Sequence, residues 1–385
     1  MKRIMVIGCG LIGPAVALDL VQSQEISEVA VGDIDDKKIE QLLKRVKSGK
    51  LTGQHVDISD QEATKRQIRD FDVVISALPY ITNILASKAA AEAGVHLVDC
   101  TYANEQWGLD ATAKKTGAMI IPDCGVAPGI ANVLVGHAVG LMDEVDDVRI
   151  MVGGIPQKPM PPLGYKIVFS TEGVVDMCCG KAPIYRNGDV VEVDVLSGLE
   201  LVDFPGVGKL EAFYTDGLST LLRTMKGRIK NMSEKTARWP GHVEKIQAMK
   251  GVGYFDTDPI DVDGVKVIPR RMTIRLWDKY LRLGKDERDM TVLRIEVVGR
   301  KNGEKVEHTF LMVDHYDEDN ELTSMARTTG YTAAIISRMV ARGDIKGKGL
   351  TPIETAVEGK FDIFMSELSR KGIKIKEMKK CGHFS

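Results

Sequence analysis

Cysteine is scarce in this chain and follows no pattern. Six are spread over 385 residues, at Cys9, Cys100, Cys124, Cys178, Cys179 and Cys381. That is too few for a disulfide scaffold, and the absence of any C-x-x-C pair leaves thioredoxin-like and zinc-ribbon readings without support. The vicinal Cys178 and Cys179 read as small buried hydrophobes in a reducing compartment. There is no H-x-x-x-H, and the terminal Cys381 and His383 make two ligands at most, so no metal is expected. An excess of one charge is missing too. With 52 basic and 54 acidic residues the net charge is −2, which is no footprint for nucleic acid. No apolar run reaches the ~18 to 20 residues a membrane span needs. The opening Met-Lys-Arg runs straight into IMVIG, which reads as a structural strand rather than a leader. A cytoplasmic protein of two or three domains is the expectation.

What the chain does have is alternation. Short apolar runs at RIMVIG (3–8), EVAVGD (28–33), HVDI (55–58), DVVISAL (72–78), HLVD (96–99) and AMIIPD (118–123) are separated by helical patterns such as Ile12, Ala15, Val16 and Leu20. Continuous apolar runs with helices between them predict a Rossmann-type, doubly wound parallel α/β sheet. From about residue 145 the regime changes. DDVRIMVGGIP, VVEVDVL, KVIPRRMTIRLW (266–277), TVLRIEVVG and EHTFLMVDHYD read as strands, several of them alternating, which predicts a second α+β domain with a mixed or antiparallel sheet. The proline-rich stretch 154–164 cannot be helix. Helical stretches are expected near 217–226 and 241–251, then from Ser324 onward and near 353–372. The expected division is 1–125 for dinucleotide binding, 126–322 for substrate and subunit contact, and 323–385 for helices returning to the first domain.

The sharpest motif is G-C-G-L-I-G at Gly8, Gly10 and Gly13, with Leu11 and Ile12 between them. It follows a strand and opens a helix, and the second strand ends in Asp33; that context makes it a dinucleotide fingerprint. Gly8 permits the turn, Gly10 leaves room for the pyrophosphate, and Gly13 lets helix and strand pack closely. The helix N-terminus offers free N–H groups to the phosphates, and Pro14 sits where a missing N–H breaks nothing. Asp33 would take the adenosine ribose hydroxyls, and no arginine follows it to neutralise a 2′-phosphate, so NAD is favoured over NADP. Ala77, Leu78 and Pro79, at the end of the fourth strand, are expected to line the cofactor.

Six segments, taken in order, resemble the saccharopine dehydrogenase family. They are VDCTY (98–102), PDCGVAPGIAN (122–132), GGIP with PLGYKIVFS (153–170), TARWPGHVE (236–244), RDMTVLRIEVVG (288–299) and SMARTTGYTAAII (324–336). The resemblance runs from Ile4 to about Gly349. It implies an NAD(P)-dependent oxidoreductase acting at a C–N bond of an amino acid, in a homodimer or larger assembly. Saccharopine reductases carry an aspartate before the proline of the P-G-I motif, where this chain has Ala127. That departure favours a smaller substrate, and the expected reaction is oxidation of L-lysine at the ε-amine, giving the cyclising 2-aminoadipate 6-semialdehyde and ammonia. The alternatives are a reductive member using NADPH on saccharopine or carboxynorspermidine, and a non-catalytic NAD-binding module.

Such a reaction needs a carboxylate anchor and an acid–base group. Arg238, beside the stiff Trp239-Pro240-Gly241 turn, is expected to bind the carboxylate, and the family match agrees. His242 titrates near neutrality and is expected to shuttle the proton. Lys166 is a candidate base if desolvated, and its neighbour Tyr165 is expected on the opposite face of a strand. Tyr102 ends the fifth strand run and is expected to reach substrate or nicotinamide. Gly125 would let backbone amides approach the nicotinamide. Asp123 reads best as a turn cap. Thr329 is a substrate-side candidate by the resemblance alone.

Overall fold

The computed structural model of the protein describes residues 1–382. The chain begins with six strands: β1 (Lys2–Ile7), β2 (Ile26–Asp33), β3 (Leu51–His55), β4 (Val73–Ser76), β5 (His96–Asp99) and β6 (Met119–Ile121). It continues through β7 (Glu144–Pro156), β8 (Lys181–Arg186), β9 (Asp189–Asp194), β10 (Glu200–Phe204), β11 (Gly208–Tyr214), β12 (Ile229–Arg238), β13 (Ile260–Val262), β14 (Val265–Val267), β15 (Asp289–Lys301) and β16 (Glu304–His315). A short β17 (Gly349–Leu350) and a final β18 (Ile375–Cys381) complete it.

Two compact units result. The first holds 1–137, 219–224 and 326–373; the second holds 138–218, 225–325 and the terminus from Lys374. The first is a seven-stranded parallel sheet in the order β17-β6-β5-β4-β1-β2-β3. Strand order reverses between β1 and β4, and an open parallel sheet binds its ligand at such a point. Ile4, Met5, Val6 and Ile7 are buried because helices cover both faces. The second unit is a mixed sheet in the order β10-β11-β12-β7-β15-β16-β18, with β12 and β7 parallel and the other pairs of that row antiparallel. No helix among the described residues is long and apolar enough to cross a membrane.

Several elements depart from the sequence expectation. The third strand is Leu51–His55 rather than 55–58. It is an edge strand with Thr52 and Gly53 exposed, so it needs no continuous apolar run. Residues 266–277 are not one strand. Only Val265–Val267 is extended, and Pro269–Tyr280 is helix, with Pro269 in its first turn and Pro269, Thr273 and Trp277 buried four residues apart. Tyr165 and Lys166 lie in irregular chain after a turn, so strand alternation does not govern them. The helix expected at 353–372 is broken: Gly359 at φ +71° separates Ile353–Ala356 from Phe361–Arg370. The terminal segment does not all return to the first unit, because β18 adds to the second sheet beside β16.

Helix Ser324–Arg342 is tied into the first unit by charge. The Arg338 guanidinium pairs with Asp19 and, at 2.9 Å, with Glu367, while Lys371 Nζ lies 2.6 Å from the second oxygen of Asp19. Asp19 is 1 % exposed and Arg338 4 %. Removing one member of a buried ion cluster strands the others. Arg338→Met is therefore expected to destabilise the protein by about 3–5 kcal/mol, read as a lowered urea midpoint against the parent chain.

Candidate active site

The glycine loop of the first unit shows by its own sterics what it is for. Gly8 sits at φ +109°, and a Cβ there would lie 2.6 Å from the Ala77 carbonyl oxygen. A Cβ on Gly13 would meet the Gly8 carbonyl oxygen at 2.2 Å. Gly10 faces open space, with nothing within 4 Å of its Cβ position. The loop is thus closed against β4 on one side and open at Gly10, as a pyrophosphate cradle must be. Helix Gly13–Gln22 begins at Ile12 with no side-chain cap and no acidic residue in its first turn. Its N–H groups have no anion from the chain, which suits a phosphate.

Asp33 is 8 % exposed. It accepts hydrogen bonds from the Cys9 amide at 2.8 Å and the Asp35 amide at 3.0 Å. Its carboxylate pins the glycine loop and keeps lone pairs free for hydroxyl donors. The structure adds a cation that the sequence reading passed over: Lys38 Nζ lies 4.0 Å from Asp33 Oδ1. Large apolar side chains are exposed beside these positions. Leu11, Ile34, Tyr80 and Ile81 directly follow Gly10, Asp33 and Pro79 at the carboxyl ends of β1, β2 and β4. Exposed apolar groups gathered around a polar loop are what a flat aromatic base would cover. Ala77 and Leu78 run from β4 to Pro79, which opens helix Tyr80–Ala93.

Beyond β5 the Tyr102 hydroxyl donates to Asn104 Oδ1 at 2.7 Å and accepts from Trp107 Nε1 at 3.0 Å. Loop 123–130 folds tightly on itself: a Cβ on Gly129 would lie 2.0 Å from the Gly125 carbonyl oxygen, and one on Gly125 would lie 3.5 Å from Thr329 Cγ2. Thr329 therefore adjoins this loop in the first unit, inside helix Ser324–Arg342.

Asp123, at φ +66° and fully buried, does more than cap a turn. Its Oδ2 accepts from Ser219 Oγ at 2.5 Å and Thr220 Oγ1 at 2.9 Å. Thr220 Oγ1 also lies 3.1 Å from Glu354 Oε2. One hydroxyl proton cannot serve two carboxylates, so the pair is held together by an extra proton. Burial first, and Glu354 nearby, push Asp123 up to about 7, and burial raises Glu354 as well. Asp123 Oδ1 has no hydrogen-bond partner.

In the second unit the structure brings Arg238, Tyr165 and His242 together. The Arg238 guanidinium packs 4.5 Å from the centre of the Tyr165 ring and donates to the Ala237 carbonyl. It is 3 % exposed, and no carboxylate of the described residues stands within ion-pair distance of it. Glu211 is its register neighbour on β11, but both carboxylate oxygens of Glu211 are taken by the Gly241 and Val243 amides. Tyr165 is fully buried and its hydroxyl is raised by that burial.

His242 Nδ1 lies 3.0 Å from the Leu163 carbonyl oxygen, so that nitrogen carries the proton. Burial, and then Arg238, push the imidazole down to about 3. The ring is neutral near pH 7, contrary to the expectation of a neutral-range shuttle. Lys166 is not a lone desolvated amine: it forms an ion pair with Glu287 at 3.1 Å.

The sequence reading missed Glu234. It alternates with Thr236 and Arg238 along β12, and period two puts all three on one face. Glu234 is 2 % exposed and accepts from Thr215 Oγ1 at 2.6 Å. Burial outweighs that bond and drives its carboxyl up to about 8. The E-K-T-A-R alternation was the available signal. Cys178 is buried and Cys179 half-buried, Cys381 is exposed in β18, and His383 lies outside the described residues.

A parallel sheet with this glycine loop defines a dinucleotide-binding oxidoreductase fold, joined in one chain to a unit that buries a guanidinium with no carboxylate of the described residues in ion-pair distance. Residues 4–121 match the saccharopine dehydrogenase NADP binding domain, and residues 125–373 match the saccharopine dehydrogenase C-terminal domain. The chain belongs to the saccharopine dehydrogenase family and is an NAD(P)-dependent amino-acid dehydrogenase. It is 23 % identical to the carboxyaminopropylagmatine dehydrogenase of Synechocystis, over 97 % of this chain and 96 % of that one. It is 24 % identical to the NADP(+), L-glutamate-forming saccharopine dehydrogenase of Schizosaccharomyces pombe, over 66 % of this chain and 59 % of that protein's length. The apo saccharopine dehydrogenase structure from Saccharomyces cerevisiae shares the fold, with a TM-score of 0.82 at 22 % identity over 99 % of this chain and 100 % of that one.

The buried acid pair sets a pH dependence. An unfolded aspartate titrates near 4, whereas folded Asp123 holds its proton up to about 7. Its contribution to stability is complete below the unfolded value and is lost as pH rises through the folded one. Asp123→Asn removes that loss. The variant is expected to gain stability over the parent between pH 5 and pH 8.5, by about 2–4 kcal/mol, measured as the difference in melting at the two pH values.

Proposed function

We propose that the protein oxidises L-lysine at its ε-carbon with NAD, yielding 2-aminoadipate 6-semialdehyde and ammonia. The observation that carries this reading is Arg238. A buried guanidinium without a counter-ion is costly, and a substrate carboxylate answers it with two parallel hydrogen bonds. Tyr165 fixes the guanidinium plane from below, and Ala237 takes one of its N–H groups, so the fork is oriented before substrate arrives. Held by the glycine loop and Asp33, NAD would supply the hydride acceptor for the ε-carbon. The chain's own part is acid–base work on either side of that transfer. The ε-ammonium must lose a proton first, and water must then be activated to hydrolyse the imine. Glu234 exchanges a proton near pH 8 on the Arg238 face of β12, which suits both tasks. His242, neutral throughout, keeps its Nε2 lone pair as a fixed acceptor.

Two features favour NAD and a small substrate. Asp33 is anchored by Cys9 as a carboxylate where a 2′-phosphate would stand. Ala127 replaces the aspartate expected in enzymes of the larger substrate. A second reading rests on Lys38 beside Asp33 and on the NADP named for the matching domain and the fission-yeast relative. In that reading the chain joins an amine to a carbonyl compound at the expense of NADPH.

An absorbance assay at alkaline pH separates the two. Reduction of NAD by L-lysine, with one ammonia per NADH and little signal from NADP, is the expected result. Silence with lysine, together with NADPH consumption on a semialdehyde or keto acid plus an amine, establishes the second reading instead. Arg238→Met is expected to raise the KM for the amino acid roughly 100-fold, about 3 kcal/mol of charge-assisted binding, with the Kd for the dinucleotide unchanged.

A further inference from the structure

The face of β12 that carries Arg238 and Glu234 also carries a short chain of hydroxyls, and strand register explains why it is there. Strand β11 runs antiparallel to β12, with Phe213 opposite Thr236 and Tyr214 opposite Lys235. Thr215, one residue past the end of β11, therefore comes opposite Glu234. Thr215 and Thr236 are each 3 % exposed, so neither hydroxyl can rely on water. Thr215 Oγ1 lies 2.6 Å from Glu234 Oε2 and 2.8 Å from Thr236 Oγ1.

Proton count fixes the direction of the chain. An ionised carboxylate only accepts, so Thr215 donates to Glu234 Oε2. A hydroxyl has one proton to give, so Thr215 in turn accepts from Thr236. The order is Thr236 to Thr215 to Glu234, and each donor polarises the next. Glu234 Oε1 has no hydrogen-bond partner among the described residues. The two oxygens of this carboxyl are therefore unequal: Oε2 is held, and Oε1 is left for another partner. Gly217 provides the room. A Cβ there would lie 2.6 Å from the Glu234 carboxyl carbon and 2.7 Å from Oε2.

We propose that Thr215 and Thr236 are positioning residues for Glu234, holding Oε2 through a directed hydroxyl chain so that Oε1 is the oxygen that exchanges the proton. The inference rests on the reading of Glu234 as the acid–base group. Its surroundings single out this bond. Burial raises the carboxyl most, the Thr215 hydrogen bond opposes it, Asp216 raises it further and Arg238 lowers it. Across the sheet the register neighbour of Glu234 on β7 is the apolar Ile150. The Thr215 hydroxyl is thus the group that favours the ionised form by direct contact.

Titration of Glu234 in the full chain tests this, followed by carbon-13 NMR of labelled glutamate carboxyls, with the resonance assigned by its absence in Glu234→Gln. Thr215→Val keeps the side-chain shape and removes the donor. Its Glu234 is expected to bind the proton about tenfold more tightly, the effect of losing a hydrogen bond to a charged group. Thr236→Val is expected to move the titration the same way by less, and Thr215→Ser to restore the parental one. With Gly217→Ala in place, the difference between Thr215 and Thr215→Val is expected to vanish, because the added methyl already displaces the carboxyl from the hydroxyl. The rising limb of kcat/KM for lysine against pH is expected to follow the NMR titration in each variant. Melting curves check folding, and Thr236→Val carries the test if Thr215→Val does not fold. An unmoved Glu234 in the valine variants, Thr215→Ser behaving like Thr215→Val, or a kcat/KM limb that stays in place while Glu234 moves would overturn the proposal. Shifted titrations in a protein that does not oxidise lysine overturn the assigned activity and leave the hydroxyl chain standing.

Discussion

A cation taken out of water has to be answered, and in the second unit the chain leaves the answer incomplete. Arg238 is all but fully buried, yet among the described residues its guanidinium has the face of Tyr165 and the carbonyl of its neighbour Ala237 and no carboxylate. A carboxylate was within the chain's means. Glu211 stands opposite on the adjoining strand, and it is spent on capping helix His242–Gly251 through the Gly241 and Val243 amides. The surrounding titrations are set first by burial. Burial, aided by the guanidinium's charge, keeps His242 neutral, while burial overrides that same charge at Glu234 and leaves a carboxyl that exchanges its proton near pH 8. A fixed positive charge, a neutral ring and a proton-bearing acid on neighbouring elements are the chemistry on which the proposed carboxylate and proton-transfer roles rest.

The first unit solves a different problem by geometry rather than charge. Its loop brings backbone so close to backbone that only glycine fits at Gly8 and Gly13, and the space in front of Gly10 is what that closeness leaves open. Asp33 serves the loop before it serves any ligand, since its bond to the Cys9 amide holds the turn in place. The buried acids Asp123 and Glu354 of the same unit share Thr220 and fix the segment 219–224 to it, although the chain on either side of that segment belongs to the other. Burial raises both acids, which favours keeping a proton in this polar knot even though Asp123 Oδ1 has no hydrogen-bond partner among the described residues.

The parallel sheet and its cofactor loop were legible in the sequence because both depend on local pattern. A continuous apolar run is buried on two faces wherever it lies, and G-x-G-x-x-G between strand and helix has one steric solution. Residues 266–277 were not legible in the same way: apolar and basic residues mixed through that stretch fit a strand as readily as the outer face of a helix, and Pro269 decides in favour of the helix only once Thr273 and Trp277 find a core to enter. Likewise His242 looks like a neutral-range base in the sequence, and Lys166 like a free amine. Only the Leu163 carbonyl, the nearby guanidinium and Glu287 change those readings.

The sequence by itself determined the class of fold, the dinucleotide loop and Asp33 at the end of the second strand, because these follow from residue type, spacing and motif order; it put Arg238 forward only as a candidate anchor. The tertiary structure alone decided which groups carry protons, which cation has no carboxylate partner among the described residues, and that Glu234 is buried on the Arg238 face of β12. Protonation and pairing depend on burial and on distances between residues far apart in the chain, and no local pattern encodes either.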